Sequence, residues 1–246
     1  MPGNAAVRAS GPLPRCSLDC QHGAVWATIR IDTPLGLFRA EVRSGDDHGS
    51  AEPRRSRLPS GAEVVVWPDV AGLVIDALVT PVIPFADQMT DMPHTHMWGI
   101  EWRLYSPIGT SELTVMAGLS DGAPAGSQSG DEHLVTLEHS IPEWFLAIGG
   151  PDEELLAQQA DAGLQPASWR AAPSVSSESL HDIVWRLPPL RAGEMGRLHV
   201  AVAWCRAGHP RSDDAPWLAV DTSPTALRIA AGVPSPHEDR RLLRGT

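Results

Sequence analysis

The chain has 246 residues, of which 42% are hydrophobic, and a formal net charge of −11, with no lysine among its 19 basic residues. Without lysine the chain can neither form a Schiff base on a side chain nor hold phosphate with the lysine of a P-loop, so both chemistries are excluded. The acidic balance argues against nucleic acid and anionic membrane surfaces as partners, because both attract cationic proteins.

The first residues, 1–22, are rich in glycine, proline, alanine and serine, and we expect a flexible leader there. This region lacks the apolar core of a secretion signal, and no stretch of the chain is apolar enough over the length that a membrane-spanning helix needs. The three cysteines, Cys16, Cys20 and Cys205, are too few for a disulfide framework. These features predict a cytoplasmic protein.

Alternating hydrophobic residues predict a β-hairpin over 24–43, with its turn at 33–36. The polar residues of 44–60 are punctuated by glycine, serine and proline, and we expect a long loop there. Further strand-like runs follow, interrupted by a flexible connection at 121–131. These runs lie at 62–67, 72–80, 95–105, 111–118, 133–139, 143–148, 179–187, 197–205, 215–221 and 225–231.

One short helix is predicted to begin near Pro151, because proline suits the first turn and the acidic residues 152–154 lie at the positive end of the helix dipole. Gly163 can end this helix. The polar residues 232–246 predict a tail.

Many short strands with a single helix are typical of all-β proteins. We therefore predict an antiparallel β-sandwich or jelly-roll-like fold over 23–231. It forms either a single domain or two lobes, divided near 121–131 or near 149–175.

The clearest strand pattern lies in the last third of the chain. A strand that carries Trp185 is followed by a Pro/Gly-rich turn at 188–196 and by a valine-rich strand. This arrangement resembles the bacterial immunoglobulin-like sandwich domains. The resemblance implies that the two strands form a hairpin within a sandwich.

The motif His94-x-His96-x4-Glu101, with Gly109 beyond it, resembles the first metal motif of the cupins. In that family two histidines and a glutamate bind a divalent metal inside a small β-barrel, and a later histidine completes the site. The resemblance implies that His139 is that later ligand and that the metal is Fe, Mn, Ni or Zn.

The alternation of side chains along a strand argues against this set of ligands. On a regular strand His94 and His96 share one face with Trp98 and the apolar residues after it, whereas Glu101 points to the opposite face. Only a bulge, for example at Gly99, would bring Glu101 round to the histidines. The alternative interpretation is a pair of histidines at the end of a core strand.

Cys16-x3-Cys20-x-His22 offers a second potential zinc site, because thiolate–zinc sites tolerate this spacing. Cys205 or another histidine would be the fourth ligand. The alternative is a disordered leader with two free thiols.

Most of the nine tryptophans lie on predicted strands and are expected to fill the core. Trp26 instead falls on the polar face of its hairpin, and Trp169 falls in a loop. These two are the candidates for an exposed aromatic surface that meets a partner or ligand.

The preferred hypothesis is a soluble, non-catalytic β-sandwich that needs no cofactor and binds another protein or a further copy of itself. The first alternative is a cupin-like, metal-dependent β-barrel enzyme that acts on a small molecule through His94 and His96. The second alternative is a metal-free protein with a small-molecule pocket, such as a cyclase or isomerase.

Overall fold

The computed structural model describes residues 24–44, 52–70, 72–84, 91–120, 122–131, 133–171, 173–177 and 180–233. Within these residues most of the chain forms strands in two antiparallel sheets, accompanied by three short α-helices and a 3-10 turn at Ala167–Ala171. The predicted all-β sandwich is confirmed. The predicted leader, the three ligands Cys16, Cys20 and His22, and nearly all of the predicted tail lie outside the described residues.

The strands in chain order are β1 (Ala24–Thr33), β2 (Gly36–Ser44), β3 (Arg54–Arg57), β4 (Glu63–Val70), β5 (Leu73–Val82), β6 (Thr95–Ser106), β7 (Leu113–Leu119), β8 (Ser127–Asp131), β9 (Leu134–Ile141), β10 (Trp144–Pro151), β11 (Ser174–Ser176), β12 (Asp182–Leu187) and β13 (Glu194–Arg206). The helices are α1 (Glu153–Asp161), α2 (Asp214–Val220) and α3 (Pro224–Ala231). The small sheet has the order β1-β2-β7-β12-β11, and the large sheet has the order β3-β4-β5-β6-β13-β10-β9-β8.

The core lies between the two sheets. Apolar side chains from the facing surfaces of both sheets form one continuous buried cluster, which includes Phe38, Trp102, Leu137 and Trp185. We call the side of each sheet that faces this core its inner face. Within the described residues, no helix combines the length and the apolar character needed to cross a membrane.

Strand pairing runs across both segments at which a division into lobes was considered. β7 pairs with β12 in the small sheet, and β6 pairs with β13 in the large sheet. Strands from before 121–131 and from after 149–175 therefore lie side by side in the same sheets.

The predicted hairpin and the predicted helix are both present. β1 and β2 pair around the turn at 33–36, where the Thr33 hydroxyl donates a hydrogen bond of 2.6 Å to the Gly36 carbonyl. Helix α1 begins at Glu153, because the Asp152 carboxylate caps it by accepting a hydrogen bond of 2.7 Å from the Leu155 amide.

The single-helix prediction is wrong, because the predicted strands at 215–221 and 225–231 are helices α2 and α3. The cap residues explain the difference. Ser223 caps α3 and accepts a hydrogen bond from the Ala226 amide, Pro224 occupies the first turn, and Gly232 ends the helix with φ of 67°. Three short strands, β3, β8 and β11, also replace predicted loops.

The immunoglobulin-like hairpin is not formed. β12 pairs with β7 and β11, whereas β13 pairs with β6 and β10. The Pro/Gly-rich turn between β12 and β13 therefore carries the chain from one sheet to the other.

Helices α2 and α3 cover part of the outer face of the large sheet. Gly99 on β6 leaves room for Leu227 of α3, because a Cβ atom at this position would collide with the Leu227 side chain. The next residue of the helix, Arg228, forms two hydrogen bonds with the buried carboxylate of Glu101. An apolar contact and an ion pair thus fasten α3 to β6.

His199 lies beside Glu101 on this outer face, as its partner in the β6–β13 register. Burial lowers the pKa of His199 to about 4, and a hydrogen bond with the Thr222 backbone only partly offsets this effect. The imidazole is therefore neutral in the folded protein near pH 7.

We expect this histidine to make stability depend on pH. The unfolded chain takes up a proton at this side chain near pH 6.5, but the folded protein does so only near pH 4. The neutral His199 contributes fully to the free energy of unfolding above pH 6.5. As the pH falls towards 4, the free energy of unfolding decreases by up to about 3 kcal/mol, because the unfolded chain takes up the proton first. Urea unfolding across this range measures the loss. If the His199→Gln variant showed the same pH dependence of stability as wild type, His199 would not be its cause.

Candidate functional site

The described residues form an open hollow of about 380 Å³ at the end of the large sheet where β6 begins. Its floor is the inner face of three adjacent strands, β6, β13 and β10. We call it the histidine–tryptophan hollow. It is lined by Pro93, His94, His96, Trp144, Arg206, Ala207 and His209.

Local structure at the start of β6 places two imidazoles side by side. The Thr95 hydroxyl donates a hydrogen bond of 3.0 Å to the Pro93 carbonyl, which holds the entry to the strand. Because side chains alternate along a strand, His94 and His96 then share the inner face. Both side chains are exposed.

The two imidazoles contact each other and an indole. The ring centroids of His94 and His96 lie 4.6 Å apart in an edge-on arrangement, and His96 stacks on Trp204 at 5.7 Å. The pKa of His96 lies below its usual value, first because the ring is partly desolvated and second because His94 is near. His96 therefore favours the neutral imidazole, which can donate a hydrogen bond or ligate a metal.

Arg206, the last residue of β13, lies opposite Trp144, the first residue of β10. Its guanidinium carbon is 5.2 Å from the centroid of the Trp144 ring, a cation–π contact. Within the described ranges, no carboxylate forms an ion pair with this guanidinium. Its hydrogen-bond donors are therefore available to a ligand.

The loop after β13 adds the third imidazole. His209 accepts a hydrogen bond of 3.2 Å at Nδ1 from the Arg211 amide, and its Nε2 lies 3.9 Å from an oxygen of the Asp91 carboxylate. The loop is held against the end of β13, because the buried Cys205 thiol donates a hydrogen bond of 3.2 Å to the Ser212 carbonyl.

Cys205 is not a nucleophile in this setting. Burial, followed by the charge of Asp213, raises the pKa of its thiol to about 11. The reactive thiolate is therefore scarce at neutral pH. Cys205 holds the loop in place and does not line the hollow.

The four predicted cupin-type ligands are not brought together. Glu101 lies on the outer face of β6, where Arg228 binds its carboxylate, and no bulge forms at Gly99 to turn it round. His139 lies on β9, three strands away from His96. The residues between them in the strand register are Trp204 and Leu146, so the two histidine backbones are about 14 Å apart. Only His94 and His96 remain in the candidate site.

His139 is buried and faces the core. Its Nδ1 lies 2.9 Å from the Pro124 carbonyl, while no partner for its Nε2 lies in the described part of the chain. The pKa of His139 is lowered mainly by burial and further by His181. Among the described residues, no three histidine, cysteine, aspartate or glutamate side chains are arranged to hold a metal ion.

Trp26 and Trp169 do not form the predicted exposed surface, since both are almost fully buried. The β1–β2 register shifts between Val25 and Ala27, and this irregularity turns Trp26 into the core. The 3-10 turn lays the Trp169 ring against Gly196, and its indole nitrogen donates a hydrogen bond of 3.2 Å to the Pro188 carbonyl.

Sequence reasoning missed Trp144, Arg206 and His209. The position of Trp144 on a predicted strand favours a place in the core, and neither Arg206 nor His209 belongs to a recognisable motif. The only signal was position, because Trp144 begins one predicted strand and Arg206 follows the end of another.

A second hollow, of about 630 Å³, lies where β8 and β9 approach the start of α1. Two of its polar side chains already have structural roles. Asp152 caps α1, and Ser129 is hydrogen-bonded to both Thr136 and Glu138. The histidine–tryptophan hollow is the stronger candidate, because its arginine has no hydrogen-bond or ion-pair partner among the described residues.

Comparison with known proteins assigns no family. No protein-family model matches the chain. No curated protein matches it either. Among solved structures, the fold is similar to a chain described as "Putative kojibiose phosphorylase from human microbiome", with 9% sequence identity and a TM-score of 0.42. The alignment covers 79% of this chain and 28% of that one, and a TM-score at this level supports no argument about function.

Proposed function

We propose that this protein is a non-catalytic binding protein that engages a partner protein through the histidine–tryptophan hollow. The observation that carries the proposal is the Arg206 guanidinium, which lies over Trp144 beside two exposed imidazoles and has no carboxylate partner in the described residues. Tryptophan and arginine are the residue types most enriched among the side chains that dominate binding energy at protein interfaces.

Rigidity supports the same proposal. Three of the side chains that line the hollow, those of His96, Arg206 and Trp144, lie on β6, β13 and β10. The buried side chains of Trp204 and Leu146 support them from the same face. Binding therefore requires little ordering of the hollow itself, which reduces the entropic cost of association.

The rim offers apolar contact area. Ile83 directly follows β5, whose last residue pairs with Met97 on β6, and its side chain is 83% exposed. This side chain offers apolar area that a partner protein bound at the hollow would bury.

Site-specific photo-crosslinking tests the proposal. A benzophenone amino acid replaces Ala207, which lines the hollow, or Leu164, which is 70% exposed in the turn after α1 and serves as the control. We expect a covalent adduct with one defined protein in cells of the native host from position 207 only. We further expect Trp144→Ala to weaken binding of that purified protein at least about tenfold.

The outcomes are distinct. Equal adducts from positions 207 and 164 would contradict the proposal, because they would indicate unspecific contact. No adduct from position 207, or an adducted protein that binds Trp144→Ala as tightly as wild type, would contradict it as well.

A second candidate function is divalent metal binding, which the 4.6 Å contact between the His94 and His96 rings favours. Two imidazoles at this spacing can ligate one ion of Fe, Mn, Ni or Zn, and His209 lines the same hollow. This candidate predicts stoichiometric metal by elemental analysis of purified protein, and its loss in the His94→Ala/His96→Ala double variant. Metal-free protein that also fails to bind added Zn²⁺ or Ni²⁺ in calorimetry would eliminate it.

A further inference from the structure

The charge of the hollow contrasts with that of the chain. The formal net charge of the protein is −11, yet the hollow is lined by one arginine and three histidines. A protein of this net charge repels acidic partners in general, so a local site with the opposite character selects which acidic group can approach.

The setting of Arg206 determines what the hollow can recognise. Its guanidinium carbon lies 5.2 Å from the centroid of the Trp144 ring, so the indole packs against the guanidinium and restricts its movement. Arginines elsewhere in the protein already bind carboxylates: Arg228 binds Glu101, and Arg103 binds Asp76. For Arg206 no such partner exists within the described ranges.

The imidazoles complement this donor group. His94 and His96 lie beside it with exposed rings, and His209 already has the Asp91 carboxylate 3.9 Å from its Nε2. The Asp91 side chain is itself 90% exposed.

We infer that the segment of the partner protein that enters the hollow carries an aspartate or glutamate, whose carboxylate pairs with the Arg206 guanidinium and accepts a hydrogen bond from His94 or His96. The inference rests on the proposed function and names the chemistry of its partner. A guanidinium and a carboxylate match in charge and in planar, two-pronged geometry.

Other occupants fit less well. A purely apolar segment would strip water from Arg206 and leave its donors unpaired, which is unfavourable. A phosphate group carries close to two negative charges and is usually held by several arginines, whereas this hollow contains a single arginine. One carboxylate balances one guanidinium.

Selection from a random heptapeptide phage library tests the inference. Peptides are selected on wild type, on Arg206→Gln and on the control Arg191→Gln, which removes the same charge from an exposed turn between β12 and β13. We expect several-fold enrichment of aspartate and glutamate on wild type and on Arg191→Gln, and no such enrichment on Arg206→Gln. A selected peptide should bind at least about tenfold more weakly when its acidic residue is changed to the amide.

Each failure points to a different error. Peptides that need Trp144 for capture but show no acidic enrichment would overturn the inference and leave the proposed function standing. If no selected peptide depends on Trp144, the proposed function fails. If free glutamate displaced the peptides at equal concentration, the occupant would be a small carboxylate and the inference would be wrong. If wild type were a dimer that Arg206→Gln dissociates, the occupant would be a second copy of this chain, and the inference would again be wrong.

Discussion

Replacing Arg228 with methionine is expected to lower the free energy of unfolding by about 3–5 kcal/mol. The side chains of Arg228 and Glu101 are only 6% and 2% exposed, and the Arg228 Nε donates a hydrogen bond of 2.7 Å to the Glu101 carboxylate. Methionine retains most of the volume but leaves a carboxylate buried without its counter-charge. Urea unfolding at pH 7 measures the loss.

Two further variants separate charge pairing from general damage. The double variant Glu101→Leu/Arg228→Met removes both charges and should recover most of the lost stability, because no uncompensated charge remains. Arg55→Met removes a partner whose side chain is 35% exposed, 3.4 Å from Glu63, and should cost at most about 1 kcal/mol. A single-variant loss as small as that of Arg55→Met would contradict the buried-pair argument.

The ion pair shows how one strand serves two purposes. β6 presents His96, Trp98 and Ile100 to the inner face, and Met97, Gly99 and Glu101 to the outer face. His94 and His96 on the inner face line the hollow, whereas the Glu101 carboxylate on the outer face binds Arg228 of α3. We therefore expect Arg228→Met, wherever it remains folded, to retain the binding properties of the hollow.

The division of β6 between its two faces is the part of the site that the sequence predicts best. Alternation along a strand is set by backbone geometry alone, so the separation of His96 from Glu101 follows from their odd spacing of five residues. A bulge would have changed this result, and β6 pairs with β13 without one.

The rest of the hollow depends on strand order, which local patterns do not encode. Trp144, Arg206 and His96 meet because β10, β13 and β6 are neighbours in the large sheet, although they are distant in the chain. A sequence pattern shows which face a residue occupies but not which strand lies beside it. For the same reason, local patterns do not show that His139 lies three strands away from His96.

The two C-terminal helices show a different limit. Val220 and Ile229 lie in apolar runs that resemble strands. The end signals of α3 favour a helix instead, with Ser223 as its cap and Gly232 as its terminator. These end signals are present in the sequence, and in the folded protein they prevail over the apolar runs. The immunoglobulin-like comparison failed because a Pro/Gly-rich turn can equally lead into the opposite sheet.

Replacing Trp185 with alanine is expected to cost about 3–5 kcal/mol of unfolding free energy. Trp185 on β12 is fully buried and crosses from the small sheet to the large one, where its ring lies against Gly150 and its indole nitrogen donates a hydrogen bond of 2.7 Å to the Pro151 carbonyl. Alanine removes the ring, leaves a cavity between the sheets and frees that carbonyl. Equilibrium denaturation measures the change.

Comparison with two other variants shows what each tryptophan does. Trp185→Phe keeps an aromatic ring but loses the hydrogen bond, so it should cost about 1–2 kcal/mol, less than alanine. Trp144→Ala removes a half-buried ring at the hollow and should cost about 1 kcal/mol in stability, while it weakens partner binding at least about tenfold. If Trp185→Ala and Trp144→Ala proved equally destabilising, Trp144 would be a core residue. The proposal that Trp144 binds a partner at the hollow would then be contradicted.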